Sequence, residues 1–266
     1  MGGPDRDWQP VVVSEGDAEG APILLSCEHA RNALPPGVDR ESFVPELIDD
    51  HFGWDPGAEQ LVEDLADVLG APTVRANFSR LYIDANRPLD STALIRNHAE
   101  GRPIPANQDL EPSRREQRID AWRAYHGALG QACETFRWQR GRFLLLSVHT
   151  FTPTFRDELR DYGLGILHDE HHADAAEAIR DGLLATGFDC RLNEPYSGMD
   201  GFIDSAGRHG RAVDVPYLLL EVRSDLLVGG SFERVRVRRA LLSALGPYLS
   251  DLCADDSSRP HSPSSA

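Results

Sequence analysis

The stretch Leu24-Leu25-Ser26-Cys27-Glu28-His29-Ala30-Arg31-Asn32 opens as an apolar run and stops at a cluster of polar, ligand-capable side chains. A short apolar run of this kind reads as a strand buried on both faces, and open α/β sheets carry their chemistry at the carboxyl ends of such strands. The pattern returns twice, in Phe143-Leu144-Leu145-Leu146-Ser147-Val148-His149 and in Tyr217-Leu218-Leu219-Leu220-Glu221-Val222-Arg223. Two strand ends thus present a histidine and the third a carboxylate, the residue types of a hydrolytic metal site. His29 alone would read as a hydrogen-bonded structural histidine, but the recurrence at His149 strengthens both. Glu221 inside an apolar strand must pair, bind metal or transfer protons, and an ion pair with Arg223 or Arg80 is its structural alternative.

Working outward, apolar spacing alternates helices with strands, which predicts an α/β fold with a central, mixed, mostly parallel sheet flanked by helices. Residues 8–13 and 23–26 read as strands. Residues 55–70 read as a helix, with Asp55 as N-cap, Pro56 at the first helical position and Gly70 at the end. Residues 71–76 and 81–84 read as strand-like pieces on either side of a turn. A polar, proline-bearing loop follows over 88–112, long enough to imply a functional or mobile segment. Residues 112–139 read as a long helix, 164–167 as a strand, 170–186 as a helix, and 232–252 as the last helix. One domain over residues 1–253 is expected, with a disordered Pro/Ser-rich tail over 254–266.

The chain has 266 residues, 41% hydrophobic and 26% charged, with a net charge of -16, which argues against a nucleic-acid partner. Its 27 basic side chains are all arginine, so mechanisms built on a Schiff-base or phosphate-binding lysine are excluded. Cys27, Cys133, Cys190 and Cys253 form no CxxC pair, and buried free thiols are expected. The beginning, Met1-Gly2-Gly3-Pro4-Asp5, lacks the basic and apolar regions of a secretory signal, and no apolar stretch approaches a membrane span. A cytoplasmic protein with no membrane partner is expected.

Further candidates lie between the strands. Ser79-Arg80 and Asp84-Ala85-Asn86-Arg87 bring two guanidiniums and an amide close together, a set suited to a carboxylate-bearing ligand. His168-Asp169-Glu170-His171-His172 resembles a metal cluster, yet Asp169 as a helix cap explains it adequately. His51 and Asp55 precede the first helix, and Asp55 reads either as a ligand or purely as a cap. His209 is read as a surface-loop residue in preference to one lining a cleft.

Together the motifs around His29, Arg80 and Asn86, Ser147-Val148-His149-Thr150-Phe151-Thr152-Pro153, Asn193-Glu194-Pro195-Tyr196-Ser197 and Leu220-Glu221-Val222-Arg223-Ser224-Asp225-Leu226 resemble the successive motifs of the N-formylglutamate amidohydrolase family. That family is similar to the zinc carboxypeptidase, aspartoacylase and aminoacylase group. The resemblance implies one zinc ion and a small-molecule N-acyl amino acid as substrate, with N-formyl-L-glutamate cleaved to formate and glutamate. Carried over, His29 and His149 hold the metal, Glu221 is the general base, and Arg80 polarises the scissile carbonyl. Asn86 and Arg87 grip a substrate carboxylate, with Arg223, Tyr196, Arg31 and Asn32 as further substrate-binding candidates. The carboxypeptidase pattern has a glutamate three residues after its first histidine, where this chain has Asn32. Asp55 or Glu28 therefore supplies the third ligand, with His51 less favoured. Two alternatives remain: a non-catalytic protein binding an anionic amino acid, and an amidase or peptidase of the same fold acting on another N-acyl amino acid.

Overall fold

A computed structural model of the chain describes residues 8–257. Its centre is a seven-stranded sheet built from β1 (Val11–Ser14), β2 (Ile23–Cys27), β3 (Thr73–Ala76), β4 (Leu144–Phe151), β5 (Leu164–Leu167), β6 (Cys190–Leu192) and β7 (Tyr217–Arg223). The strand order is β1-β3-β2-β4-β7-β5-β6, with β1 antiparallel to β3 and β5 antiparallel to β7. The remaining neighbours are parallel, so the sheet is mixed and mostly parallel, as expected.

The three apolar runs form the middle of this sheet because both of its faces are covered. On one face Leu25, Leu146, Val148, Leu218 and Leu220 pack against α1 (Ala58–Leu69), α3 (Ala173–Ala185) and α5 (Ser231–Ser257). On the other, Leu24, Leu145, Tyr217 and Leu219 pack against α2 (Pro112–Arg140), α4 (Asp204–Ala212) and the loops around Phe43 and Phe78. Side chains alternate across a strand, so the positions that continue this second set toward the carboxyl ends are Ser26, Ser147, His149 and Glu221. His149 and Glu221 are register partners on adjacent parallel strands, which sets them side by side on one face.

Three segments depart from expectation. Residues 81–84 form no strand: the chain winds around Ser79, whose carbonyl accepts from the Tyr82 and Ile83 amides at 2.9 and 3.3 Å. The Ser79 hydroxyl accepts from the Leu81 amide at 3.1 Å and donates to Gly53 O at 2.8 Å. Leu81 and Ile83 look strand-like in sequence because they are buried, but they are buried by a turn. Helix α1 starts at Ala58, and its N-cap, Gly57 at φ 88°, makes no side-chain cap bond. Residues 254–257, expected in a disordered tail, are the last turn of α5; the rest of that expected tail lies outside the described residues. Among the described residues no helix is long and apolar enough to cross a membrane.

His209, expected on a surface loop, is instead buried in α4 against His126 of α2, and the two rings stack with centroids 5.2 Å apart. His126 Nε2 donates to Ala85 O at 2.9 Å, which leaves its Nδ1 to accept from His209 Nε2 at 2.9 Å. Both rings are therefore neutral donors in a chain that ends on the backbone beside Asn86. Burial and then the neighbouring His209 lower His126 to about 3, and burial lowers His209 to about 4 against the pull of Glu28.

This packing makes stability sensitive to pH and to added volume at one glycine. The unfolded chain protonates each of these histidines near pH 6.5 while the folded one does not, so stability falls as pH drops from about 6.5 toward 4, by up to about 1.4 kcal/mol per pH unit per ring. Urea midpoints at pH 7.5 and 5.5 should differ less in His209→Gln, which keeps a donor but cannot titrate, than in the wild type; equal differences would contradict this. Gly165 is the second case, because a Cβ there would stand 1.9 Å from Glu194 O and 3.4 Å from Glu221 Cβ. Gly165→Ala should destabilise the fold by at least about 1 to 3 kcal/mol in urea titration.

Candidate active site

The His29 ring, just past the end of β2, and the His149 ring of β4 approach at 4.7 Å between centroids, nearly perpendicular. Both Nδ1 atoms face one carboxylate oxygen, Asp55 Oδ2, at 3.3 Å from His29 and 2.7 Å from His149. The far nitrogens are occupied elsewhere: His29 Nε2 lies 2.7 Å from Asp84 Oδ1, and His149 Nε2 lies 2.9 Å from Glu28 Oε2. Each ring is thus fixed by a carboxylate behind it, which leaves Nδ1 pointing at a common spot. Such carboxylate–histidine pairs are how metal-binding imidazoles are oriented.

Asp55 reaches the spot because it does not cap the helix. Its amide donates to His29 O at 2.9 Å and its carbonyl accepts from Ala58 N at 3.1 Å, so the backbone turns while the carboxylate is left for the histidines. A ligand role and a cap role compete for the same side chain, and here the histidines and Arg80 hold it. Arg80 Nη1 sits 3.2 Å from Asp55 Oδ1, and Arg80 Nη2 sits 3.7 Å from Asp84 Oδ2. The Ser79 turn brings Arg80 and Asp84 within reach of each other, whereas a strand would hold two residues four apart about 13 Å from one another.

The electrostatics are those of charges buried together. Burial would push Glu28, Asp55 and Asp84 upward, but the histidines hold all three well below the ordinary carboxylate range, assisted by Ser147 at Glu28 and Arg80 at Asp84. Glu28 is fully buried and also accepts from Tyr125 Oη at 2.8 Å and Ser26 Oγ at 3.1 Å. Burial disfavours charge on His149, yet its bonds to Asp55 and Glu28 win and raise it to about 10. Glu221 behaves differently. Burial raises it to about 8, with His149 and Arg80 pulling down and Asp55 pushing up. Its Oε2 is buried with no hydrogen-bond partner, and among the described residues it forms no ion pair with Arg80 or Arg223.

His29, Asp55, Arg80, Asp84, His149 and Glu221 line a cavity of about 330 Å³ together with Arg87, Asn86, Arg96, His51, Thr150 and an aromatic wall that includes Tyr196 and Phe202, while Glu28 lies behind it. Tyr196 stacks on Phe202 at 4.8 Å, and the Arg87 guanidinium lies 4.6 Å over the Phe202 ring. Of the residues singled out in the sequence, His29, His51, Asp55, Arg80, Asn86, Arg87, His149, Tyr196 and Glu221 meet here. Asn86 is tied at both ends, donating to Phe202 O at 2.9 Å and accepting from Ser205 N at 3.1 Å. It braces the Arg87 segment against the loop that carries Phe202.

Asn32, Arg31 and Arg223 are outside the lining. Asn32 donates to Asp49 Oδ1 at 2.9 Å, Arg31 binds Glu59, and Arg223 is held by Asp225 and by the carbonyls of Arg160 and Tyr162. In this arrangement all three are committed to protein partners and not to the cavity. Asp169 caps the turn before α3, accepting from His171 N at 3.1 Å, and also pairs with His172, which agrees with its structural reading. Asp84 and Arg96 were not singled out as site residues. Asp84 carried a signal, two residues ahead of Asn86 in a run rich in arginine, whereas Arg96 sits in a loop with no local pattern to mark it.

Can these residues hold a divalent cation? His29, Asp55 and His149 are the one grouping among the described residues whose ligand atoms all lie within 4.8 Å of one another, and all three are buried. Two imidazole nitrogens and one carboxylate oxygen are an ordinary zinc donor set, and Glu221 Oε2 is an orphaned acceptor beside it. The residues fit such an ion.

Comparisons with known proteins agree with this picture. An N-formylglutamate deformylase of Pseudomonas putida is 33% identical over 162 residues, 54% of this chain and 58% of that protein. One from Pseudomonas aeruginosa is 26% identical over 160 residues, 54% of this chain and 59% of that protein. The chain therefore spans less than two thirds of the length of these curated relatives. Among solved structures, a gene product of Agrobacterium tumefaciens superposes with a TM-score of 0.78 at 27% identity, covering 92% of this chain and 96% of that one. An N-formylglutamate amidohydrolase from Ralstonia eutropha gives 0.72 at 18% identity, covering 93% and 100%, and bears on the fold alone. The model of the family described as N-formylglutamate amidohydrolase matches residues 21–228, and the chain belongs to that family.

Proposed function

We propose that the protein is a metal-dependent amidohydrolase that removes the formyl group from N-formyl-L-glutamate, or a related acyl group from an acidic amino acid. The observation that carries this reading is the convergence of His29 Nδ1, His149 Nδ1 and Asp55 on one point, with Glu221 on the adjacent strand as register partner of His149. The family relationship and the deformylase names of the relatives support the substrate class. Asn32 stands where the carboxypeptidase pattern has its ligand, and the presence of Asp55 between the histidines supports that residue as the third donor.

His29, His149 and Asp55 would hold the cation, and Asp84 and Glu28 keep the two rings in the tautomer that leaves Nδ1 free. A zinc or similar ion there supplies a Lewis acid that makes water nucleophilic near neutral pH. Glu221 accepts the proton of the attacking water through the oxygen that no other group satisfies, and returns it to the departing amine nitrogen. A carboxylate raised by burial is a stronger base than an exposed one, and a cation nearby returns it to the ionised form. Arg80, held by Asp55 and Asp84, directs its guanidinium at the developing oxyanion, an interaction worth on the order of 3 to 4 kcal/mol in such sites. Arg87, over Phe202 and 4.0 Å from Asp84 Oδ2, grips the α-carboxylate of the substrate.

Chelation should abolish release of glutamate from N-formylglutamate, and one equivalent of zinc should restore it; activity insensitive to chelation would refute the metal. Glu221→Gln should keep the bound metal and lower kcat by at least about a thousandfold. Unchanged turnover removes Glu221 from the mechanism. Asp55→Ala should lose metal and activity together in elemental analysis and assay, while wild-type metal content in that variant would shift the third ligand elsewhere.

A further inference from the structure

Three guanidiniums, Arg80, Arg87 and Arg96, face the same cavity. Arg80 is paired with Asp55 and Asp84, and Arg87 has the more distant contact with Asp84 together with its place over Phe202. Among the described residues Arg96 has no ion pair, and its buried Nε has no hydrogen-bond partner. Burial and then repulsion from Arg80 hold its pKa below the usual value, with Arg87 adding to the repulsion and Asp84 opposing it. An unpaired guanidinium kept beside two others is a standing demand for an anion.

We propose that Arg96 binds the side-chain carboxylate of the substrate and so sets the preference for an acidic amino acid, an assignment that rests on the hydrolase reading above. Two guanidiniums lack full carboxylate partners, and glutamate brings two carboxylates. Arg87, braced by Asn86, takes one, and Arg96 takes the other in the planar fork that suits it. A neutral side chain would leave Arg96 desolvated and unanswered, which is how a site built for a polar group rejects an analogue lacking it.

The segment that carries Arg96 is built as a fixed support. Leu94 O accepts from Asp84 N at 2.8 Å, so the loop is bonded to the residue that orients His29. Arg96 O accepts from Asn107 Nδ2 at 2.6 Å, and the same amide donates to Leu81 O at 2.9 Å. Asn107 Oδ1 in turn accepts from the buried Arg118. Ile104 N closes the loop onto Asn97 O at 2.9 Å. The backbone on both sides of Arg96 is thereby tied to the Ser79 turn, which also positions Arg80.

The test compares kcat/KM for N-formyl-L-glutamate and for N-formyl-L-glutamine, which has the same shape without the charge. Wild type should favour the glutamate substrate by about a hundredfold or more. Arg96→Gln should raise KM for N-formylglutamate about a hundredfold, leave kcat within about threefold, and make N-formylglutamine a better substrate, since the unanswered guanidinium is gone. Arg96→Lys, which keeps the charge but not the fork, should show a smaller rise of about tenfold, confined to the glutamate substrate, and decides the matter if the Gln variant fails to fold. A preference that survives in Arg96→Gln, or a Lys variant indistinguishable from wild type, overturns the assignment while leaving the hydrolase reading intact. Wild-type protein that hydrolyses neither compound overturns both.

Discussion

The structure depends on one oxygen atom, Asp55 Oδ2, toward which two buried imidazoles turn the same ring nitrogen. Four ionisable groups, His29, His149, Asp55 and Glu28, are packed there with almost no exposure to water. Removing charges from water is costly unless every lone pair and proton is answered, and an arrangement broken on one side is strongly destabilising. The chain answers them in pairs: Asp84 behind His29, Glu28 behind His149, Arg80 against Asp55, and the hydroxyls of Ser26, Ser147 and Tyr125 around Glu28. Two carboxylate oxygens are left without a hydrogen bond, Asp84 Oδ2, which still has Arg80 at 3.7 Å, and Glu221 Oε2, which has no ion pair among the described residues. Glu221 is thus the buried acid with neither a hydrogen bond nor an ion pair on that oxygen, and this is the observation on which its proposed role as base rests.

The sheet makes this arrangement possible by giving its two faces different work. One face of β2, β4 and β7 is apolar as far as Thr150 near the end of β4 and packs on helices, while the other changes from apolar to polar toward the carboxyl ends. Parallel strands in register bring those ends level, so Glu221 stands beside His149 without any loop having to place it. The loops then add what strands cannot: the Ser79 turn delivers Arg80 and Asp84 together, and the bend before α1 delivers Asp55.

Much of this was legible in the sequence. The three central strands announce themselves because burial on both faces demands continuous apolar residues, and the polar residue that ends each run is conspicuous against them. The long α2 helix was equally plain from its spacing. Asp55 was ambiguous for a physical reason, since an aspartate ahead of a helix has the right position to cap it and only the distant histidines decide that it does not. The turn at residues 81–84 reads as a strand because a buried apolar pair has the same composition in either setting. Asn32 and Arg223 looked like site residues by position along the chain, but Asp49 and Asp225 compete for them locally. Arg96 and the His126–His209 pair rest wholly on contacts between distant segments, and no nearby residue signals them.

The most direct measurement is X-ray absorption at the zinc edge on protein loaded with one equivalent of zinc. Sharing of one ion by His29, His149 and Asp55 predicts a first shell of nitrogen and oxygen scatterers near 2.0 to 2.1 Å with the multiple-scattering pattern of two imidazoles. A shell containing sulfur near 2.3 Å, or one with no imidazole signature, would contradict the site at the heart of this account.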